Sequence, residues 1–122
     1  MSYSATITAS SKELTKKERI QLKDMTDVIR LDTATKDGDV VIEKVANIVE
    51  IEIHNDKATP TDYTNIIVIS EDGTRYATGS TSFRNSLFDI ADEMGEEEYG
   101  IKVFRRPSAN YAGRDFISCS VL

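Results

Sequence analysis

Two periodicities and one order of elements predict a β-rich α+β fold. Val49, Ile51 and Ile53 alternate with Glu50, Glu52 and His54, which is the period of two of a strand with one wet face. Phe83, Leu87, Ile90 and Met94 recur at helical spacing, and Phe88 and Ala91 widen that apolar stripe. From Val45 onward the order reads strand, strand, strand, helix, strand, strand. An OB-like five-stranded barrel has this order, with its one helix between strands three and four. Other small α+β folds share it. The domain reading is an OB-like domain over 40–122, preceded by an N-terminal extension over 1–39 with a short helix and a loop.

Each element has a local reason. Residues 1–10 are small and polar and predict a loose arm or an edge strand. Thr15 followed by Glu18 has capping-box spacing, so a short helix is expected near 15–24. Asp32 to Asp39 reads as a loop around Asp37-Gly38. Tyr63 to Ser70 is β-branched and apolar, a strand with little wet surface. Glu71-Asp72-Gly73-Thr74 is a hairpin turn in which glycine supplies the positive φ, and Arg75 to Thr78 returns as the third strand. Thr81 or Ser82 can cap the long helix and Gly95 can end it. Gly100 to Arg106 and Phe116 to Leu122 are the last two strands, joined by a polar loop over 107–113 that carries Tyr111.

The 122 residues suffice to bury one core, and 39% hydrophobic with 30% charged residues places the chain among globular rather than disordered proteins. A single cysteine, Cys119, excludes an intrachain disulfide and suits a reducing cytoplasm. The longest apolar run, Ile66-Ile67-Val68-Ile69, is far too short to span a membrane, and the first residues lack the basic and apolar parts of a signal peptide. The expectation is a cytoplasmic protein. A net charge of -6 argues against a generic cationic coat for DNA, but a binding field is local. Asp89, Asp92, Glu93, Glu96, Glu97 and Glu98 sit together, whereas Lys102, Arg105, Arg106 and Arg114 gather near the C-terminus and the stretch from Lys12 to Lys23 is basic on balance.

The sequence signals no catalytic constellation, cofactor or metal site. One histidine and one cysteine cannot make a zinc site, and the glycines are scattered as turn residues rather than gathered in a phosphate loop. The carboxylate run lacks EF-hand spacing and reads as a wet helix face. What remains is a mixture of cations and flat rings on strands, which single-stranded nucleic acid uses for its backbone and its bases. Arg105 and Arg106 point to opposite faces, so one of them at most faces a ligand; Lys102 shares the parity of Arg106. Tyr111, in a polar loop, has little reason for burial. Phe104 and Phe116 are assigned to the core, as apolar strand residues usually are.

The half of the chain from Tyr63 to Leu122 resembles the single-stranded DNA-binding proteins of small, protein-primed tailed phages. The resemblance lies in the β-branched strand, Asp72-Gly73-Thr74-Arg75-Tyr76, the Ser/Thr-rich link, the helix Phe83 to Met94, Ile101-Lys102-Val103, and the final Phe116-Ile117-Ser118-Cys119-Ser120-Val121-Leu122. It implies an OB-like fold and non-catalytic coating of displaced strands during phage DNA replication. Carried over by position, the implied nucleic-acid-binding residues are Arg75, Tyr76, Lys102, Arg106 and Tyr111. Implied partners are single-stranded DNA, phage replication proteins and further copies of the chain, in the host cytoplasm. The basic segment Lys12 to Lys23 departs from the family pattern. The rival reading is a small phage protein-interaction module that binds a host or replication protein, which the net negative charge and the acidic helix favour.

Overall fold

The computed structural model describes residues 3–24, 26–107 and 115–122. Among them the chain forms a β-rich α+β fold with eight strands in two sheets. Its spine is the eleven-residue strand β4 (Val45–Asn55), where the alternation of Val49, Ile51 and Ile53 puts one apolar row on one face. Two strands flank β4, both antiparallel to it: β1 (Tyr3–Ser10) and β5 (Asp62–Ser70). The sheet continues through β6 (Arg75–Thr78) to the two-residue β2 (Ile29–Arg30), giving the order β1-β4-β5-β6-β2.

Both faces of this sheet are covered, so β5 buries four consecutive residues, Asn65 to Val68, instead of alternating. On one face, Val49, Ile51, Ile53, Ile67 and Ala77 pack with Leu22. Leu22 is the buried residue of α1 (Lys16–Lys23). This helix starts as the sequence predicts. The Thr15 hydroxyl accepts from the Glu18 amide at 3.1 Å, and the Glu18 carboxylate accepts from the Thr15 amide at 3.0 Å. The buried Asn47 ties the turn before α1 to β4, its Oδ1 accepting from the Ser11 hydroxyl at 2.5 Å and the Lys12 amide at 3.2 Å. Residues before Val40 thus share the sheet and core of those after it.

The second sheet has the order β3-β7-β8, all antiparallel: β3 (Val40–Ile42), β7 (Ile101–Pro107) and β8 (Asp115–Val121). Between the sheets lies the larger core, in which Ile42, Ile48, Ile66, Val68, Ile101, Val103 and Ile117 meet. Helix α3 (Thr81–Met94) inserts Phe83 and Leu87 there, each 0% exposed. Its cap is Ser80, one residue before the expected Thr81, and the Ser80 hydroxyl accepts from the Phe83 amide at 3.2 Å. Gly95 ends the helix at φ 60°. Among the described residues, no helix is long and apolar enough to cross a membrane.

Two features differ from the sequence expectation. The segment expected as a loop from Asp32 begins instead as a helical turn, α2 (Leu31–Ala34), with Leu31 fully buried. And no closed barrel forms among the described residues, because the second edge of β6 is occupied by β2 rather than by β8. The segment that follows β2 bridges the gap. The Asp32 carboxylate accepts from the Thr78 hydroxyl on β6 at 2.8 Å, and the Asp32 carbonyl accepts from Arg105 on β7.

Only Glu43 and Lys44 separate β3 from β4, so one run of chain serves both sheets. Gly100 passes directly beneath that crossing. A Cβ at Gly100 would lie 2.2 Å from the Glu43 carbonyl oxygen, a backbone atom that cannot turn aside. Gly100→Ala is therefore expected to destabilise the fold by about 1–3 kcal/mol, seen as a lower urea midpoint at unchanged slope.

Candidate nucleic-acid interface

Strand β7 alternates strictly at its start. Ile101 and Val103 face the core, and Lys102 faces water. The same parity carries Phe104 and Arg106 to the outer face of the three-stranded sheet. The Arg106 guanidinium lies over the Phe104 ring, 4.4 Å from its centroid, in a cation–π contact. Cross-strand pairing places Phe116 of β8 beside Arg106, Ser118 beside Phe104 and Ser120 beside Lys102. On the other side, Val41 of β3 pairs with Lys102. Phe116 is 36% exposed and Val41 50%. Among the described residues, neither Lys102 nor Arg106 takes part in an ion pair. The result is a sheet face with two cations, two aromatic rings, two hydroxyls and one exposed aliphatic side chain.

This corrects the assignment of Phe104 and Phe116 to the core. Residue type argued for burial, but the pleat decided otherwise: with Ile101 and Val103 inward, residue 104 has to face out. The signal was present in the alternation against Lys102.

The other predicted residues are dispersed. Arg105 points away from Arg106, as parity requires. Its guanidinium binds the Asp32 carbonyl and lies 3.9 Å from the Asp115 carboxylate, so it buckles α2 to β7. Arg75 is used within the fold, donating to the carbonyls of Gln21 at 2.7 Å and Asp24 at 2.9 Å at the end of α1. Tyr76 is half-buried against the inter-sheet core, and burial pushes its phenol above the usual range. Its groove also holds Val41 and the carboxylates Glu43, Glu71 and Asp72, while the cation there, Lys44, is paired with Glu71 at 3.3 Å and Glu98 at 2.9 Å, which makes the groove a poor track for phosphate. Lys102 and Arg106 are thus brought together, Tyr76 stands at their margin beyond Val41, and Arg75 belongs to another face. Tyr111 and Arg114 lie outside the described residues.

An acidic border flanks β8. The Ser86 hydroxyl of α3 is 2.8 Å from that of Ser118, and Asp89 and Glu93 follow Ser86 at helical spacing on the same side. Both are exposed. A polyanion approaching the face is repelled along this side and drawn toward Lys102 and Arg106.

The remaining reactive groups have structural uses. Burial pushes the Cys119 thiol up to about 12, so it stays protonated and unreactive. His54, one residue before the end of β4, has both ring nitrogens engaged, 2.7 Å from Asp62 and 2.7 Å from Asp56. The Asp62 carboxylate first, and then Asp56, raise the imidazole above its ordinary 6.5. Because the folded pKa is the higher one, the stability this contact contributes is fully present below the unfolded value and is lost as pH rises through the folded value. A proton NMR titration should show His54 titrating above 6.5 in the native protein and lower in Asp62→Asn. Among the described residues, no three His, Cys, Asp or Glu side chains converge as a metal site. Comparison with known protein families, with curated proteins and with solved structures found no match.

Proposed function

We propose that the chain is a non-catalytic single-stranded DNA-binding module that docks its ligand on the outer face of β3, β7 and β8. The observation that carries this reading is the stripe Lys102, Phe104, Arg106 with Phe116 beside it on an exposed sheet. Such a surface meets both demands of single-stranded nucleic acid: cations for phosphates and ring faces for bases. Lys102 and Arg106 are four residues apart, roughly 13 Å along the strand, so they engage separate phosphates. Of the residues named by the sequence, Lys102 and Arg106 are kept as binding residues, and Phe104 and Phe116 join them.

The architecture supports an OB-like description. The meander β4-β5-β6, the helix α3 and the hairpin β7-β8 follow the OB order, with β3 and β4, two residues apart in the chain, serving one sheet each. On this description the β2–α2 insertion stands where a closing strand pair would be. The resemblance of the sequence to phage single-strand binders supports a role in coating displaced strands during replication in a host cytoplasm, alongside other replication proteins.

The test is fluorescence anisotropy of a labelled oligo-dT. Affinity should fall with salt, with a slope of log K against log salt near -1.4 for two neutralised phosphates at about -0.7 each. Phe104→Ala should weaken binding by one stacked base, about 1–3 kcal/mol. The rival protein-interaction reading draws on Val41, Val121 and Leu122, which are 50%, 50% and 59% exposed. It is favoured if oligo-dT does not bind at low salt while a pull-down retains a protein that Val41→Asp releases.

A further inference from the structure

The two sheets have four edges, and three of them are guarded. β2 is two residues long and β3 three, too short to template another strand. β8 has α3 packed along it. The fourth edge is β1, and it is different. It is eight residues long, YSATITAS, with no charge, no proline and no glycine. Among the described residues no strand lies beyond it. The bulge between Ile7 and Ala9 disturbs its C-terminal part only, leaving Ser4 to Ile7 as a regular, β-rich segment.

The apolar layer beneath α1 also ends unfinished here. Ala5 and Ile7 are packed against the cluster of Val49, Ile51 and Ile53, yet both remain only partly buried. An added strand would cover them. That strand must itself be uncharged, β-branched and apolar on alternate positions, and β1 meets this description.

We propose that β1 pairs antiparallel with β1 of a second copy across a two-fold axis, joining two five-stranded sheets into one. Pairing about Ala5 sets Ser4 of one copy opposite Thr6 of the other. It keeps the apolar row of Ala5 and Ile7 on one face and the hydroxyl row on the other, so neither copy has to change register. Electrostatics permit this contact in a chain of net charge -6, because the edge itself is neutral. The nearest carboxylate row holds Glu52, opposite Thr6 within each copy. Across the joint it would lie at least three strand spacings, roughly 14 Å, from its twin, beyond the Debye length of about 8 Å at physiological salt. The inference rests on the sheet edge alone and stands whether or not the other sheet binds DNA.

Sedimentation equilibrium of the full chain tests it. The wild type should sediment at twice the chain mass at high concentration and dissociate on dilution. Ser4→Lys with Thr6→Lys, both at exposed positions, should sediment as a monomer, with an unfolding midpoint equal to that of the wild type at dilutions where the wild type is itself monomeric. Hydrogen exchange gives a reading that needs no variant: amides in residues 4–7 should exchange more slowly as concentration rises, while those of β5 do not change. A wild type that stays monomeric at every concentration, a double variant that still dimerises, or amides 4–7 indifferent to concentration would overturn the proposal.

Discussion

Lys102→Glu combined with Arg106→Glu should reduce affinity for oligo-dT about a thousandfold at low salt and lower stability by no more than the about 0.5–1 kcal/mol of the exposed Arg106–Phe104 contact. Both side chains are exposed, and among the described residues neither is in an ion pair, so reversal breaks none there. Each site loses an attraction of about 1 kcal/mol and gains a repulsion of similar size, the value for unit charges at contact distance in water. Two sites give about 4 kcal/mol, or three orders of magnitude. The neighbouring border of Asp89 and Glu93 adds to the effect, since the reversed face would be acidic throughout. Arg75→Glu is the instructive contrast. Arg75 caps α1 rather than facing this sheet, so its reversal should lower stability with little direct effect on binding at temperatures where the protein stays folded.

Phe83→Ala should cost about 3–5 kcal/mol, read as a fall in the urea midpoint. Phe83 is completely buried where α3 meets the core shared by the two sheets. Its neighbours come from separate parts of the chain: Ile48 and Ile66 from the large sheet, Val103 and Ile117 from the small one. Truncation leaves a cavity at the joint that rigid strands on both sides cannot close. Measured against the 5–15 kcal/mol of a typical domain, that loss brings the protein close to its unfolding threshold. Gly100→Ala acts on the same joint from the opposite direction, by crowding rather than emptying it.

Local rules carried the sequence reading a long way. The capping box at Thr15, the glycine turn at Gly73 and the helix stripe around Phe83 each depend on residues within a few positions of one another. All three appear as read, because short-range hydrogen bonds and periodicity set them. What could not be read locally was pairing. Nothing near Ile29 announces that two residues will take the edge of β6, and Leu31 enters the core through a helical turn in a stretch rich in loop-forming residues. The site shows the same division. Arg106 was separable from Arg105 by parity, whereas Arg75 was lost to α1 by a contact spanning more than fifty residues. Phe104 was legible from its alternation with Val103; judging it by residue type alone hid it.

A residue-resolved map of oligo-dT binding by amide NMR at low salt tests most directly whether DNA docks on the outer face of β3, β7 and β8. The largest shifts should fall on Val41, Lys102 to Arg106, Phe116, Ser118 and Ser120, with β1 and the α1 side of β4 unmoved. Shifts centred on the β1–β4–β5 face around His54, or no shifts at millimolar oligonucleotide, would contradict docking on that outer face.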